Sequence, residues 1–333
     1  MTVATIDPQR LLQAVRAMFP EADDQPPRFL ARGEYSLNYL VDGASGPAVV
    51  RLVTGSQIGL ALPEQVRYEA RALDLLAPSG RTPRLLAVQP EAVDVPYPFL
   101  VETFLPGRPL DYATDLASAA VCLAAIHAVP VLAGHGLQVH RDPGPSIVDE
   151  SREWAAAYLG WDAAPDASRR MLAQAIALVE ADLDRAAEVF AEPDLVLVNY
   201  DVNTHNFIVG DDGFVALVDW EKARVAPAVQ DLAHFLLPTT TLWRAATATR
   251  LSAGQEQAFI DAYLAARPHP DREMFMAQLA QMRRLIALRA VSWCSWAVQA
   301  AASGEREMGN TETLDRSRMY LEPSFLAALF GIK

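Results

Sequence analysis

The chain has 333 residues, of which 51% are hydrophobic, and its mean hydropathy is slightly positive. That is enough apolar material for a large core, and too many residues for one small domain, which favours two lobes. The formal charge of −13 argues against a nucleic-acid partner, because a phosphate backbone needs a basic surface.

The sequence gives no sign of a membrane or secreted location. No uninterrupted apolar run has membrane-spanning length, and Asp7 stands before an amphipathic N-terminal helix where a signal peptide would have a charged start and an apolar centre. Both cysteines, Cys122 and Cys294, lie in apolar, helix-like stretches, which favours buried free thiols. We therefore expect a cytoplasmic protein without a membrane partner, either a monomer or a homodimer.

The first third of the chain is predicted to form mainly strands. After a helix over residues 8–19, a second helix is predicted over Pro63–Leu76, where apolar residues recur at helical spacing and Pro63 suits the first turn. Turns containing glycine or proline separate short apolar runs on either side of that helix. These runs predict five strands: Arg28–Arg32, Asn38–Asp42, Ala48–Val53, Arg84–Val88 and Pro98–Phe104.

After Gly107 the pattern changes to helices, and strand signals return only between residues 195 and 218. We expect an irregular loop over Val139–Ile147, because it holds two prolines and a glycine. The coarse prediction is an α+β chain with a mixed N-terminal lobe, residues 1–104, and a mainly helical C-terminal lobe, residues 105–333. Its helices are predicted over Leu116–Val129, Ser151–Leu159, Ser168–Phe190 and most of residues 229–333.

The most informative stretch runs from residue 195 to residue 236. A strand there leads into Asn199-Tyr200-Asp201, and Asn206 follows five positions after the aspartate. Two apolar runs then flank the turn Gly210-Asp211-Asp212-Gly213, which predicts a tight β-hairpin. The hairpin would fold Asp219 back beside Asn206.

Asp201, Asn206 and Asp219 form the set of side chains that phosphoryl transfer requires. One aspartate accepts the proton of an attacking hydroxyl, while an asparagine and a second aspartate hold magnesium on the phosphates. Magnesium prefers such hard oxygen ligands. Asp201 and Asn206 alone would be ordinary turn residues, since Asx side chains favour turns. Together with Asp219, the hairpin and Asp231, they favour a catalytic site.

The pattern resembles the aminoglycoside phosphotransferase and choline kinase superfamily. Members carry His-Gly-Asp or His-Asn-Asp, then four residues and Asn, then Ile/Val-Asp-Trp/Phe-Glu and a downstream Asp-Leu-Ala. This chain has Asn199-Tyr200-Asp201, Asn206, Val218-Asp219-Trp220-Glu221 and Asp231-Leu232-Ala233. The resemblance implies a protein-kinase-like two-lobed fold, with a five-stranded antiparallel sheet and one main helix in the N-terminal lobe. It also implies Mg²⁺, ATP or GTP as phosphoryl donor, and a small hydroxylated acceptor.

The resemblance further implies where the phosphates of the nucleotide bind. Gly33 and Ser36 lie in the turn between the first two strands, which would cover the phosphates. Arg51 stands where a kinase places its strand lysine, and Glu69 on the following helix is its natural partner. Taken alone, Arg51 and Glu69 could equally form a surface ion pair. Their order among the elements favours the nucleotide role.

Two further residue roles follow from the same resemblance. The segment ending in Leu105-Pro106-Gly107 looks like the hinge between lobes, where the backbone of Glu102 and Phe104 would bond a purine edge. Glu221 either lines the acceptor site and attracts a cationic group, or caps local structure. With the acidic net charge, it tilts the acceptor towards a hydroxylated amine.

One departure from the superfamily keeps a second function open. The usual histidine two residues before the catalytic aspartate is Asn199, whose side chain has donors and an acceptor that could partly replace it. The resemblance implies that this histidine fixes the catalytic loop in relatives, and that Asp231 buttresses the same loop in this chain. The alternative is a nucleotide-binding pseudokinase that acts through protein partners.

Overall fold

The structure of the protein, a computed structural model, describes residues 6–305 and 311–332. Residues 1–5 of the predicted N-terminal lobe, and residues 306–310 and 333 of the predicted C-terminal lobe, lie outside this description. The strands of the described chain are β1 (Arg28–Arg32), β2 (Ser36–Val41), β3 (Ala48–Val53), β4 (Leu85–Gln89), β5 (Phe99–Thr103), β6 (Arg108–Pro109), β7 (Leu195–Val198), β8 (Phe207–Val209), β9 (Val215–Leu217) and β10 (Arg224–Pro227). Its helices are α1 (Pro8–Met18), α2 (Leu62–Leu76), α3 (Leu116–His127), α4 (Pro143–Leu159), α5 (Asp166–Glu180), α6 (Leu183–Val189), α7 (Val229–Leu236), α8 (Pro238–Thr241), α9 (Ala253–Ala266), α10 (Arg272–Ser303), α11 (Thr311–Tyr320) and α12 (Pro323–Phe330).

The chain divides into two compact units, each built from three segments. The first unit comprises Met1–Leu110, Ala125–Gln138 and His205–Arg224, and the second comprises Asp111–Ala124, Val139–Thr204 and Val225–Lys333. The first unit thus includes residues 205–224, which the sequence assigns to the C-terminal lobe. The predicted domain boundary between residues 104 and 105 stays a prediction.

The predicted five-stranded antiparallel sheet is present in the first unit. Its strand order is β1-β2-β3-β5-β4, and every neighbouring pair is antiparallel. β1 is an edge strand that is exposed along its whole length, whereas β3 and β5 are almost entirely buried. Apolar side chains of β3 and β5 pack with one face of α1 in a single core that includes Val50, Leu52, Phe99, Leu11 and Val15. Burial of this apolar surface provides the driving force that assembles the sheet.

The predicted β-hairpin is also present in the first unit. β8 and β9 pair antiparallel, with Phe207 opposite Leu217 and Val209 opposite Val215. The two-residue strand β6 pairs with the other edge of β8. It was not predicted, because two residues are too few to show an alternating pattern. A Cβ on the preceding Gly107 would lie 2.5 Å from the carbonyl oxygen of Val209, so only glycine fits at this approach.

The predicted loop over Val139–Ile147 is wrong, because α4 begins at Pro143 rather than at Ser151. The side chain of Asp142 accepts a hydrogen bond from the N–H of Gly144 at 3.2 Å and caps the helix. Pro143 occupies the first helical position, where the missing N–H has no intrahelical partner to lose. The proline and glycine therefore mark a helix start rather than a loop.

Two more segments of the second unit differ from the prediction. The helix predicted over Ser168–Phe190 is two helices, since α5 ends at Glu180 and α6 begins at Leu183. The strand β10 was not predicted, and it pairs with β7. β10 has only four residues, and these include Arg224 and Pro227, so its sequence shows no strand pattern.

The longest helix, α10, belongs to the core of the second unit. By length and composition alone it could cross a membrane, since an 18-residue window has a mean hydropathy of 1.2. However, 61% of that window is buried inside the protein, as in the core helix of a globular fold. Cys122 in α3 and Cys294 in α10 are buried free thiols, as predicted.

The core of the sheet can be tested with a matched pair of substitutions. Phe99→Ala removes a fully buried ring from β5, and we expect it to lower the free energy of unfolding by about 3–5 kcal/mol. Phe29→Ala makes the same chemical change on β1, where the side chain is 60% exposed, and should cost less than about 1 kcal/mol. Equal costs in denaturant unfolding would contradict the burial of β5.

Candidate active site

The hairpin brings the two predicted metal ligands to neighbouring positions in the first unit. The N–H of Val218 donates to the carbonyl of Asn206 at 2.8 Å, so the ladder continues one pair beyond β8 and β9. Asp219 follows with a φ of 63°, an uncommon conformation for a residue other than glycine. The indole N–H of the buried Trp220 donates to the carbonyl of Leu217 at 3.0 Å and fixes the chain on the far side of this bend. Strain of this kind often accompanies function.

The buried side chain of Arg51 on β3 is ion-paired with three carboxylates of the first unit. Its Nε lies 2.9 Å from Oε1 of Glu69, the partner predicted on α2. Its Nη2 donates to Oδ1 of Asp219 at 2.7 Å and to Oε2 of Glu221 at 3.0 Å. A buried guanidinium needs such partners, because an uncompensated charge in the interior is strongly destabilising. Arg51 and the predicted metal carboxylate are therefore in direct contact.

One guanidinium, that of Arg51, faces several buried carboxyl groups, and the pKa values of three glutamates in this cluster are raised. Burial raises the pKa of Glu69 to about 7, against the attraction of Arg51. Burial likewise raises the pKa of Glu102 to about 7 and, with repulsion from Asp219, raises the pKa of Glu221 to about 8. Burial alone would lower the pKa of Arg51, but the surrounding carboxylates raise it well above its ordinary value. The cluster favours additional positive charge.

The carboxylate of Glu221 is ion-paired with Arg51. Its backbone carbonyl accepts a hydrogen bond from Nε2 of Gln65 on α2 at 2.9 Å. Its side chain is almost entirely buried. Both partners, Arg51 and Gln65, are distant from Glu221 along the chain, and contact with an acceptor stays a prediction. The neighbouring Lys222 donates to Oε1 of Gln57 at 3.2 Å.

Gly33 and Ser36 form the tight turn between β1 and β2. The N–H of Gly33 donates to the carbonyl of Ser36 at 3.0 Å. A Cβ on Gly33 would lie only 2.8 Å from Oγ of Ser36, so a larger residue would push that side chain aside. This turn lies in the same unit as Arg51, and its contact with phosphates stays a prediction.

The predicted hinge residues have backbone partners within the sheet. Glu102 lies between β3 and β4, opposite Val49 and Leu85. The N–H of Phe104 donates to the carbonyl of Pro47 at 3.1 Å. A purine edge could receive this N–H only after that hydrogen bond opens, so the predicted use of Phe104 as a donor needs a rearrangement. The buried carboxyl of Glu102 near Arg51 was not foreseen, because the sequence indicated only its backbone.

The loop that carries Asp201 lies in the second unit and is held by the buried Asp231 of α7. The N–H of Asn199 donates to Oδ2 of Asp231 at 2.8 Å, and the N–H of Tyr200 donates to Oδ1 at 2.9 Å. The N–H of Asp201 donates to Oδ1 of Asn199 at 3.0 Å. Bonds of backbone N–H groups to a carboxylate are among the stronger hydrogen bonds of a protein. Asn199 and Asp231 therefore both accept hydrogen bonds from backbone N–H groups of this loop, and their support of a catalytic residue stays a prediction.

One comparison identifies the family of the chain. The sequence model of the Phosphotransferase enzyme family matches residues 27–272, which is most of the chain. The chain belongs to this family. The match includes β1 to β10, the Arg51 cluster and the Asp201 loop.

Solved structures of phosphotransferases share the fold over nearly the whole chain. A spectinomycin phosphotransferase in complex with ADP and spectinomycin is 14% identical, covers 98% of both chains and has a TM-score of 0.65. The macrolide 2′-phosphotransferase MphH from Brachybacterium faecium is 17% identical, over 95% of this chain and 98% of that one, with a TM-score of 0.59. The choline kinase LicA from Streptococcus pneumoniae is 15% identical, over 96% and 98%, with a TM-score of 0.61. The family match confirms the predicted resemblance to phosphotransferases, and these structures share the predicted kinase-like α+β fold.

The acidic cluster suits the magnesium ion that the family implies. Asp219 is its most exposed carboxylate, with 30% of the side chain accessible, whereas Glu69 and Glu221 are nearly inaccessible. Within the described residues no group of three or more His, Cys, Asp or Glu side chains could hold a metal ion. Magnesium commonly takes one or two protein ligands and completes its shell with phosphates and water. Asn206 and Asp219 would be those two ligands.

The sequence reasoning missed the surroundings of Tyr200. This buried residue has a φ of 71°, and the guanidinium of Arg289 on α10 lies 4.5 Å from its ring centroid. No pattern in the sequence connects that position to Arg289.

Raising the pH should destabilise the protein through Glu102. A carboxyl of the unfolded chain titrates near 4.5, whereas burial holds the pKa of Glu102 at about 7 in the folded protein. The folded state binds more protons between these values, so the stabilisation is present below pH 4.5 and lost as the pH rises through 7. That pKa difference corresponds to about 3 kcal/mol.

Glu102→Gln should therefore show a smaller fall in the free energy of unfolding between pH 5 and pH 8 than the wild type. Glu91→Gln is the control, since Glu91 is a solvent-exposed carboxylate of the same unit, paired with Arg67. Denaturant unfolding at four pH values measures the effect. An identical pH dependence in Glu102→Gln and the wild type would contradict the raised pKa.

Proposed function

We propose that this phosphotransferase moves the γ-phosphoryl group of ATP to a hydroxyl of a small molecule. The contact that supports this most directly is the 2.7 Å ion pair between Arg51 and Asp219. The sequence singled out these residues separately, one as the phosphate cation and one as the metal carboxylate, and 168 positions divide them. Their meeting in one cluster is what nucleotide-triphosphate binding by a kinase-like site requires.

The proposed reaction is a direct transfer. Asp201 accepts the proton of the acceptor hydroxyl, whose oxygen forms a bond to the γ-phosphorus as the bond to the β–γ bridging oxygen breaks and ADP leaves. Magnesium, when bound to Asn206 and Asp219, would neutralise charge on the phosphate oxygens. Catalysis would rest on positioning and charge neutralisation, because the transferred group needs little covalent help from the protein.

The remaining residues would position the donor. Arg51 would contact the phosphates while Glu69 holds its Nε, and the backbone turn of Gly33 and Ser36 would cover them. The backbone around Glu102 and Phe104 would receive the purine of ATP, with GTP as the alternative donor. Asn199 and Asp231 would hold the Asp201 loop.

The acceptor is proposed as a hydroxylated small molecule, with an amine as the favoured additional group. Spectinomycin, macrolides and choline appear in the names of the similar structures, which shows how varied the acceptors of this fold are. The alternative of a pseudokinase depended on Asn199. No observation favours it, and the hydrogen bond that Asn199 accepts from the N–H of Asp201 supports the proposal that Asn199 replaces the usual histidine. The cytoplasmic location and the choice between monomer and homodimer stay predictions.

Asp201→Asn should leave nucleotide binding largely intact while phosphoryl transfer falls by about 10²–10⁴-fold, because the base is lost but the phosphate cluster is not. Asp219→Ala should instead impair magnesium-dependent nucleotide binding. Release of the nucleoside diphosphate, ADP from ATP or GDP from GTP, is measured over amino sugars, amino alcohols and macrolides. Nucleotide affinity is measured by titration with and without Mg²⁺.

Asp211→Asn is the matched control, since Asp211 is an exposed aspartate in the turn of the same hairpin and should behave as the wild type. Near-normal turnover in Asp201→Asn would refute its role as the base. Unchanged magnesium dependence in Asp219→Ala would refute the metal site.

Glu221→Gln should distinguish the two roles left for this residue. If Glu221 serves to orient Arg51, the variant should raise the KM for the nucleotide by about tenfold, as expected for a weakened buried ion pair, and leave the acceptor KM unchanged. Glu91→Gln, at the exposed pair with Arg67, is the control. A rise confined to the acceptor KM would instead assign Glu221 to the acceptor site.

A further inference from the structure

Tyr200 holds a backbone conformation that its side chain disfavours. Its φ is 71°, in the left-handed region, where a bulky residue is a genuine outlier. Such a conformation persists only when the surroundings over-determine it. Tyr200 directly precedes Asp201, so whatever holds Tyr200 also sets the direction of the proposed catalytic base.

The N–H of Tyr200 is held by Asp231, as described above, and its ring is held by Arg289. The guanidinium lies 4.5 Å from the ring centroid, within cation–π distance, and 5.0 Å from the ring of Trp154 on α4. The ring of His140 meets the ring of Tyr200 edge-on at 6.2 Å. Backbone and ring are thus fixed from two different helices, α7 and α10.

Arg289 itself is anchored by a fork. Its Nε donates to Oε2 of Glu150 on α4 at 2.6 Å, and its Nη2 donates to Oε1 at 3.3 Å. Burial alone would lower the pKa of Arg289, but Tyr200, Glu150 and Asp201 raise it. The guanidinium is therefore charged at any working pH, and the charge of Asp201 acts on it through space.

We propose that Arg289 is a positioning residue for Asp201, acting through the ring of Tyr200, with Glu150 holding Arg289 in place. This inference rests on the proposed function for its catalytic meaning. At this bend the chain has a tyrosine, and a cation stacked on its ring compensates for the backbone strain. In this proposal Arg289 acts through Tyr200 and not by contact with the acceptor or the phosphates.

Arg289→Met tests the proposal, since methionine keeps an unbranched side chain but removes the charge and the fork. Arg283→Met is the matched control, because Arg283 lies on the same helix and makes a similar fork to Glu256, with distances of 2.7 and 3.3 Å. Hydrogen exchange of the Asn199 and Tyr200 amides is the first measurement, as both are bonded to Asp231. It requires no turnover.

We expect slow exchange of both amides in the wild type and in Arg283→Met, and exchange at least about tenfold faster in Arg289→Met. Tyr200→Gly should relieve the backbone strain and fold, because glycine adopts this φ readily. In the Tyr200→Gly background, Arg289→Met should add nothing further, since the residue through which it acts is gone.

Kinetics provide the second measurement. With Mg²⁺, ATP and water as the phosphoryl acceptor, Arg289→Met should lower kcat for phosphate release by about tenfold while the KM for ATP stays within about twofold. Arg289→Lys, which keeps a cation but loses the fork, should recover part of the loss. It also replaces Arg289→Met as the test variant if the latter does not fold.

Several results would overturn the proposal. These are unchanged loop exchange in Arg289→Met, equal acceleration in Arg283→Met, and a full additional effect of Arg289→Met in the Tyr200→Gly background. Failure of the proposed function is distinguishable, because it would appear as a wild type without Asp201-dependent turnover. In that case the exchange pattern alone would decide whether Arg289 holds the loop.

Discussion

The first unit depends on one buried guanidinium. Arg51 is stable in the interior only because carboxylates from different parts of the chain reach it, Glu69 from a helix and Asp219 and Glu221 from the end of a hairpin. Since a buried charge without partners is costly, the cluster fixes the strand, the helix and the hairpin together. Burial, with repulsion among these carboxylates, holds the pKa of two of its glutamates near 7 and of a third near 8. In the proposed function, this surplus of carboxylates would attract the magnesium ion that binds the phosphates of the nucleotide.

In the second unit, several contacts hold the loop that carries Asp201 in a single conformation. Asp231 accepts hydrogen bonds from two consecutive backbone N–H groups, and Asn199 accepts one from a third. Arg289 stacks on the ring of Tyr200. The contacts come from α7, from α10 and from the loop itself, and together they remove the alternative conformations that a short polar loop would otherwise sample. The strained backbone of Tyr200 is the cost of this arrangement.

Strands and turns that follow from local residue patterns could be predicted from the sequence. Several boundaries of buried elements could not. The strands around the first sheet and the hairpin were predicted within one or two residues, because alternation and turn residues act locally. The start of α4 was misplaced, since a proline that ends one helix can equally begin another. The break between α5 and α6 was missed because no glycine or proline marks it, and the strand β10 was missed because its four residues show no strand pattern.

The sequence by itself determined the chemistry of the site: the residue types at positions 201, 206 and 219, their spacing and the hairpin between them. It also paired Arg51 with Glu69 through their order along the chain. Only the tertiary structure decided that Glu221 belongs to Arg51, that the buried carboxyl of Glu102 acts on the same cluster, and that Arg289 holds Tyr200. The physical reason is that motif spacing is a local property of the chain, whereas charge compensation and stacking depend on which distant side chains share one buried space.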